Sequence, residues 1–288
     1  MNYFTGLFLC VFIVVVESYG YRRTFMPMAK VDLNVFSGRP NPSVEVPLPL
    51  MMNMMKKFPL RPTKNNPRAL GYRGFIVNMG TMSMPIPGGS SRELEGMMMK
   101  FFNIPMEVRD HCNQQIFGKD RNNPLYTEFT SSRTCQNPQS STMFQPSRWN
   151  SNSMIQEQNN CYNYATDIIT NTFAQPGRAS GYNYPSTTGQ NLQYSSELDG
   201  LVRVEPPSEQ CLPVPNRNLV ALVIWPGMDY HFYRLDSDGT FSHKPGQTIA
   251  RNYDNSGETI TDPRSADRGP YTTFHCFMET SSNSVRIM

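Results

Sequence analysis

The feature that most constrains this chain is the run Leu219-Val220-Ala221-Leu222-Val223-Ile224-Trp225, seven apolar residues without a polar break. A strand wet on one face alternates apolar with polar, so an unbroken run of this length reads as a strand covered on both faces. The chain must therefore supply a sheet with material packed on each side of it. Pro226-Gly227 turns the chain, Asp229 to Leu235 runs as the neighbouring strand, Ser237-Asp238-Gly239 turns again, and Thr240 to His243 returns. Two histidines, His231 and His243, lie on adjacent strands of one hairpin. A two-residue loop at Asp238-Gly239 sets His243 opposite Arg234, facing away from His231. A three-residue loop, with Gly239 left-handed, sets His243 opposite Tyr233 and on the face of His231. Glycine at the third position favours the three-residue loop.

The first half reads as a smaller α+β unit. Val31 to Phe36 alternates at period two and ends in Ser-Gly-Arg-Pro-Asn-Pro (37–42), and Val44-Glu45-Val46 resumes as a second strand. Residues 48–58 suit a short helix begun after Pro49, and residues 72–77 another strand. The Met clusters at 51–55 and 97–99 read as fillers of an irregular core, since a soft-metal site needs convergent geometry that a Met run does not establish. Between 131 and 153 the chain is rich in Ser, Asn, Gln and Pro, the composition of a connecting segment. The expected organisation is a signal at 1–20, an α+β domain at 21–130, a polar linker at 131–153 and a second domain at 154–288.

The signal rests on residues 7–16, ten apolar positions bounded by Glu17 and followed by the small residues Ser18 and Gly20. That run is too short to span a bilayer, which takes roughly 20 apolar residues, so a secreted chain with no membrane segment in its mature form is expected. Cleavage after Gly20 leaves Cys112, Cys135, Cys161, Cys211 and Cys276. In an oxidising compartment an odd set gives two disulfides and one thiol in the simplest case, with Cys112 and Cys135 a plausible local pair, or else a crosslink between chains. The formal charge is +3, and the Lys and Arg residues are scattered, so nucleic-acid partners are not expected.

Asn159-Asn160-Cys161 precedes an apolar stripe made by Tyr164, Ala165, Ile168 and Ile169, which puts Cys161 in the first turn of a helix capped by an Asn. There the helix dipole favours thiolate over thiol. A helix-start cysteine, a strand histidine and a second polar residue orienting that histidine are what thiol acyl transfer requires. Cys161 is the nucleophile in this reading, His231 takes its proton, and His243 holds the tautomer of His231. The plainer alternatives are a half-cystine at Cys161 and structural histidines. Gln156 and Asn160 are oxyanion-donor candidates by their closeness to Cys161. Tyr162 and Tyr164 fit a cleft or a core equally. Asp236 to Gly239 and Asp254 to Gly257 read as turns, and His111 and His275 as structural; neither a metal nor another cofactor is called for.

The order of helix-start Cys161, strand His231 and, twelve residues on across an Asp-Gly hairpin, His243 resembles the NlpC-type papain-like cysteine peptidases and amidases. The likeness covers roughly 155–245, with Arg234 and Phe241 departing from the small residues usual there. It implies a papain-like domain with a helix-start Cys packed on an antiparallel sheet, acting on peptide or amide bonds through Cys161, His231 and His243. A longer likeness, carried by VDLNVFSGRPNP, LGYRGFIVN, NNCYNYATDIITNTFAQPGRASG and SHKPGQTIARNYDNSGETITDPRSADRGPY, is to a group that includes insoluble matrix shell proteins of bivalve molluscs. It implies a secreted component of calcified shell matrix. The combined expectation is an extracellular matrix protein carrying a thiol hydrolase domain, its partners a peptide or amide polymer or other matrix components. The alternatives are a silent structural matrix protein and a peptidoglycan-degrading defence hydrolase.

Overall fold

A computed structural model of the chain describes residues 27–63, 69–118, 142–204 and 218–288. The signal at 1–20, Cys135, Cys211 and residues 131–141 of the expected linker lie outside the described residues. The fold is α+β, with two antiparallel sheets.

The first half opens with β1 (Met28–Asn34) and β2 (Ser43–Pro47), paired with Val31 opposite Val44. Asn41 closes the intervening turn, its Oδ1 accepting from the amides of Val35 at 3.0 Å and Phe36 at 2.8 Å. Helix α1 (Leu48–Lys57) starts on prolines at its first turn, where a missing N–H costs nothing. Then come β3 (Gly74–Met79), β4 (Met82–Pro87), α2 (Arg92–Met98) and α3 (Met106–Phe117), giving a four-stranded sheet in the order β2-β1-β3-β4. Met51, Met54, Met98 and Met99 are buried in its core, as fillers.

The second half carries α4 (Pro146–Asn150), α5 (Ser153–Gln158), α6 (Cys161–Thr166), α7 (Gly189–Leu198), β5 (Val202–Val204), β6 (Asn218–Trp225), β7 (Asp229–Leu235), β8 (Phe241–Ser242) and β9 (Thr273–Thr280). Helix α4 stands inside the stretch read as polar linker and buries Trp149 against Tyr164 and Ala250. The sheet order is β5-β9-β6-β7-β8, so the apolar run forms a strand with neighbours on both sides.

Both faces of β6 are covered, as its composition demands. Ala221, Val223 and Trp225 join the buried cluster of the first half, with Val31, Phe75 and Val108 among its members. Val220, Leu222 and Ile224 pack on the other face with Cys161, Tyr162 and Leu192 from α6 and α7. The first half thus packs on one face of the second sheet, which Tyr233 and Leu235 of β7 and Phe277 of β9 help to line.

Among the described residues no disulfide forms. Cys112, Cys161 and Cys276 are all buried thiols, Cys112 in the first-half core and the other two in the cluster under α6 and α7. Each is held by the packing of its own element, and Cys112 is no half-cystine.

Candidate active site

The hairpin register decides whether the two histidines meet. Arg234 pairs with Ser242 and Leu235 with Phe241; the amide of Asp236 donates to the Thr240 carbonyl at 2.9 Å, and Gly239 is left-handed at φ 86°. This is the three-residue loop. His231 and His243 share a face, with His231 Nε2 at 2.8 Å from His243 Nδ1. The His243 ring stacks on Tyr233 at 4.8 Å between centroids.

Arg251 assigns the tautomers. A guanidinium can only donate, and Arg251 Nε donates to His243 Nε2 at 2.9 Å. His243 therefore carries its proton on Nδ1 and donates to His231 Nε2. His231 in turn carries a proton on Nδ1, 2.5 Å from the hydroxyl of Ser37. The Ser37 hydroxyl also lies near enough to the Cys161 thiol to favour its charged form. The result is a relay running Arg251, His243, His231, Ser37, with the Cys161 thiol beside its last member. Its second acceptor is in reserve, since the Tyr253 carbonyl lies 3.1 Å from His243 Nε2.

Cys161 begins α6 as the sequence leads one to expect. Asn160 caps the helix, its Oδ1 accepting from the amides of Tyr162 and Asn163, while Asn163 Oδ1 accepts from the Asn160 amide. The expected activation by helix position does not follow. Burial pushes the Cys161 thiol up to about 12 and the Asp229 carboxylate adds to the rise, outweighing the Phe232 amide, the Ser37 hydroxyl and Lys244. A helix of only six residues offers a weak dipole against complete desolvation. Burial also holds both imidazoles well below 6.5, with Arg251 reinforcing the shift at each.

Several partners escape a reading of the sequence. Ser37 comes from the β1–β2 turn, 194 residues before His231, and nothing local marks it. Asp229 lies two positions before His231 on the same strand face, so the alternation of β7 offered a signal. Its carboxylate accepts from Tyr271 at 2.5 Å and from the Ser37 amide at 2.6 Å. Lys244, beside His243, places its buried ammonium on the carbonyls of Gln156, Asn159 and Gly246, and so clamps the joint between α5 and α6. Burial lowers its pKa to about 7.

Of the expected oxyanion donors, Gln156 turns away to the Gln247 carbonyl. Asn160 aims its Nδ2 at the Gly38 carbonyl, and Gln175, unforeseen, joins it there. Tyr162 and Tyr164 are core residues bonded to Asp199 and Ser242. His111 accepts from the Tyr72 amide and His275 meets Gln193.

No protein-family model and no solved structure matches the chain. Over 136 residues it is 55% identical to insoluble matrix shell protein 1 of Ruditapes philippinarum, a match covering 46% of this chain and 86% of that protein. At that identity and coverage the chain belongs to the family of that insoluble matrix shell protein, and its location is the extracellular shell matrix.

Proposed function

We propose that this matrix protein carries a papain-like thiol site in its second half, with Cys161 as nucleophile, His231 as base and His243 as the residue orienting it. The site acts on peptide or amide bonds of matrix polymers. What carries the reading is the 2.8 Å contact between His231 and His243, with the other nitrogen of His231 turned toward Ser37 and the thiol beyond it.

In the resting tautomer His231 Nδ1 is a donor and cannot act as a base. Catalysis requires Arg251 Nε to turn away from His243 Nε2 as His243 moves its proton there, where the Tyr253 carbonyl accepts it, and His231 to move its own to Nε2, where His243 Nδ1 accepts it. The freed His231 Nδ1 then takes the thiol proton once Ser37, which lies between the two, has moved aside. The sulfur attacks the substrate carbonyl, the C–N bond breaks as the imidazolium returns the proton to the leaving amine, and water hydrolyses the thioester.

A second reading has its own support: Cys161 has no exposed surface, and a thiol pushed up to about 12 is a poor nucleophile. In that reading the chain is a silent structural component. Proteins extracted from shell matrix, and peptidoglycan, are incubated with the full mature chain and with Cys161→Ala. Slow cleavage of matrix proteins by the wild type alone is expected. Equal yields from both chains would leave the structural reading, and cleavage confined to peptidoglycan would make the protein a defence hydrolase.

A further inference from the structure

The turn from Ser37 to Arg39 enters the second half as a peptide enters a cleft. The Gly38 carbonyl accepts from Gln175 Nε2 at 2.8 Å, Asn160 Nδ2 at 2.9 Å and the Tyr230 hydroxyl at 3.1 Å. The amides of Ser37, Gly38 and Arg39 donate to the Asp229 carboxylate at 2.6, 3.2 and 2.9 Å. Arg39 reaches the Met228 carbonyl at 2.6 Å. Asn41 already closes the base of this turn, so the first half does not need these contacts to form its hairpin.

The slot is selective as well as polar. A Cβ on Gly38 would stand 2.6 Å from the ring and the carbonyl oxygen of Tyr230, closer than such atoms approach, so the position takes glycine. The Ser37 side chain points at His231, and Arg39 lies half-buried at the rim with Pro40 exposed beyond it. Empty, the cleft would strip one acceptor from each of Gln175, Asn160 and Tyr230 and leave the buried Asp229 carboxylate resting chiefly on the Tyr271 hydroxyl, and the lost bonds are those that a peptide backbone supplies.

Resting on the thiol-site reading above, we infer that Ser37-Gly38-Arg39 is a built-in occupant of the substrate cleft, and that the cleft accepts peptides with a small residue, then glycine, then a basic residue. The first half thereby holds the enzyme latent, and activation is the withdrawal of this turn. Matrix polymers offering such a segment compete for the place it vacates.

Iodoacetamide labelling of the full mature chain, mapped by peptide, tests this in wild type, Gly38→Val and the milder Arg39→Ala. Expulsion of the turn in Gly38→Val raises the labelling rate at Cys161 by about 100-fold, and the lost Arg39 contact raises it by about tenfold. Cys112, in the first-half core, keeps its wild-type rate. A synthetic peptide spanning residues 34–42 slows Cys161 labelling again in Gly38→Val, and the same peptide with valine in place of glycine does not. Unchanged rates at Cys161 in Arg39→Ala, equal rises at Cys112 and Cys161, or equal protection by the two peptides would each overturn the inference. Opening and selective protection without Cys161-dependent turnover would keep the peptide cleft and remove the hydrolase.

Discussion

At the scale of single residues the site is governed by desolvation. His231 and His243 are fully buried, and their pKa values lie well below 6.5 because charging either ring would bury a cation beside Arg251. Both stay neutral in the folded chain while they protonate in the unfolded one. Their contribution is constant above about pH 6.5 and is lost as pH falls from there, because the unfolded state then binds more protons. The limiting slope is about 1.4 kcal/mol per pH unit for each imidazole. The carboxylates of Asp199, Asp229 and Asp236, raised by burial, work in the opposite sense at lower pH. Urea unfolding of wild type and His243→Gln between pH 6.5 and 5.5 isolates the imidazole part. The wild type should lose stability more steeply, by about 1 kcal/mol per unit; parallel curves would mean that His243 is charged in the fold.

At the scale of elements, helix α6 is too short to stand by propensity and depends on its cap and its burial. Asn160 serves two structures at once. Its oxygen satisfies two amides of α6, and its nitrogen reaches the carbonyls of Gly38 and Ala174. Asn160→Ala removes the cap, worth about 1 kcal/mol, and strands buried polar groups at about 1 to 3 kcal/mol. A total loss of about 2 to 4 kcal/mol is expected as a lowered urea midpoint at constant slope. Asn160→Asp restores the cap without the two donated bonds, so a loss of similar size would assign the effect to the Gly38 and Ala174 carbonyls.

The whole molecule explains which parts were legible in the sequence. The strand at β6, the hairpin beyond it, the three-residue loop and the cap before Cys161 all come from local patterns: an apolar run, a Gly at a left-handed position, an Asn before a helix. Each is decided within about a dozen residues, and so was the meeting of His231 and His243. Ser37, Gln175 and Arg251 were not legible, since their roles depend on the packing of distant segments around β6 and β7. The state of Cys161 was misjudged for the same reason: its helix position is local, but its burial comes from the first-half turn and the sheet together. Likewise the cysteine count invited disulfides, where packing keeps Cys112 and Cys276 as thiols in separate clusters.

That long-range packing makes one claim central: a serine from the first half and two histidines from the second form a single hydrogen-bonded relay beside the Cys161 sulfur. Side-chain nitrogen NMR on histidine-labelled protein reads it most directly, through the tautomer and charge of each ring. The expected spectrum has His231 and His243 neutral and protonated on Nδ1 from pH 7 to about 5.5, with only the His231 Nδ1 proton shifting in Ser37→Ala. Either ring becoming charged with a midpoint near 6.5, or a His231 signal indifferent to Ser37→Ala, would contradict it.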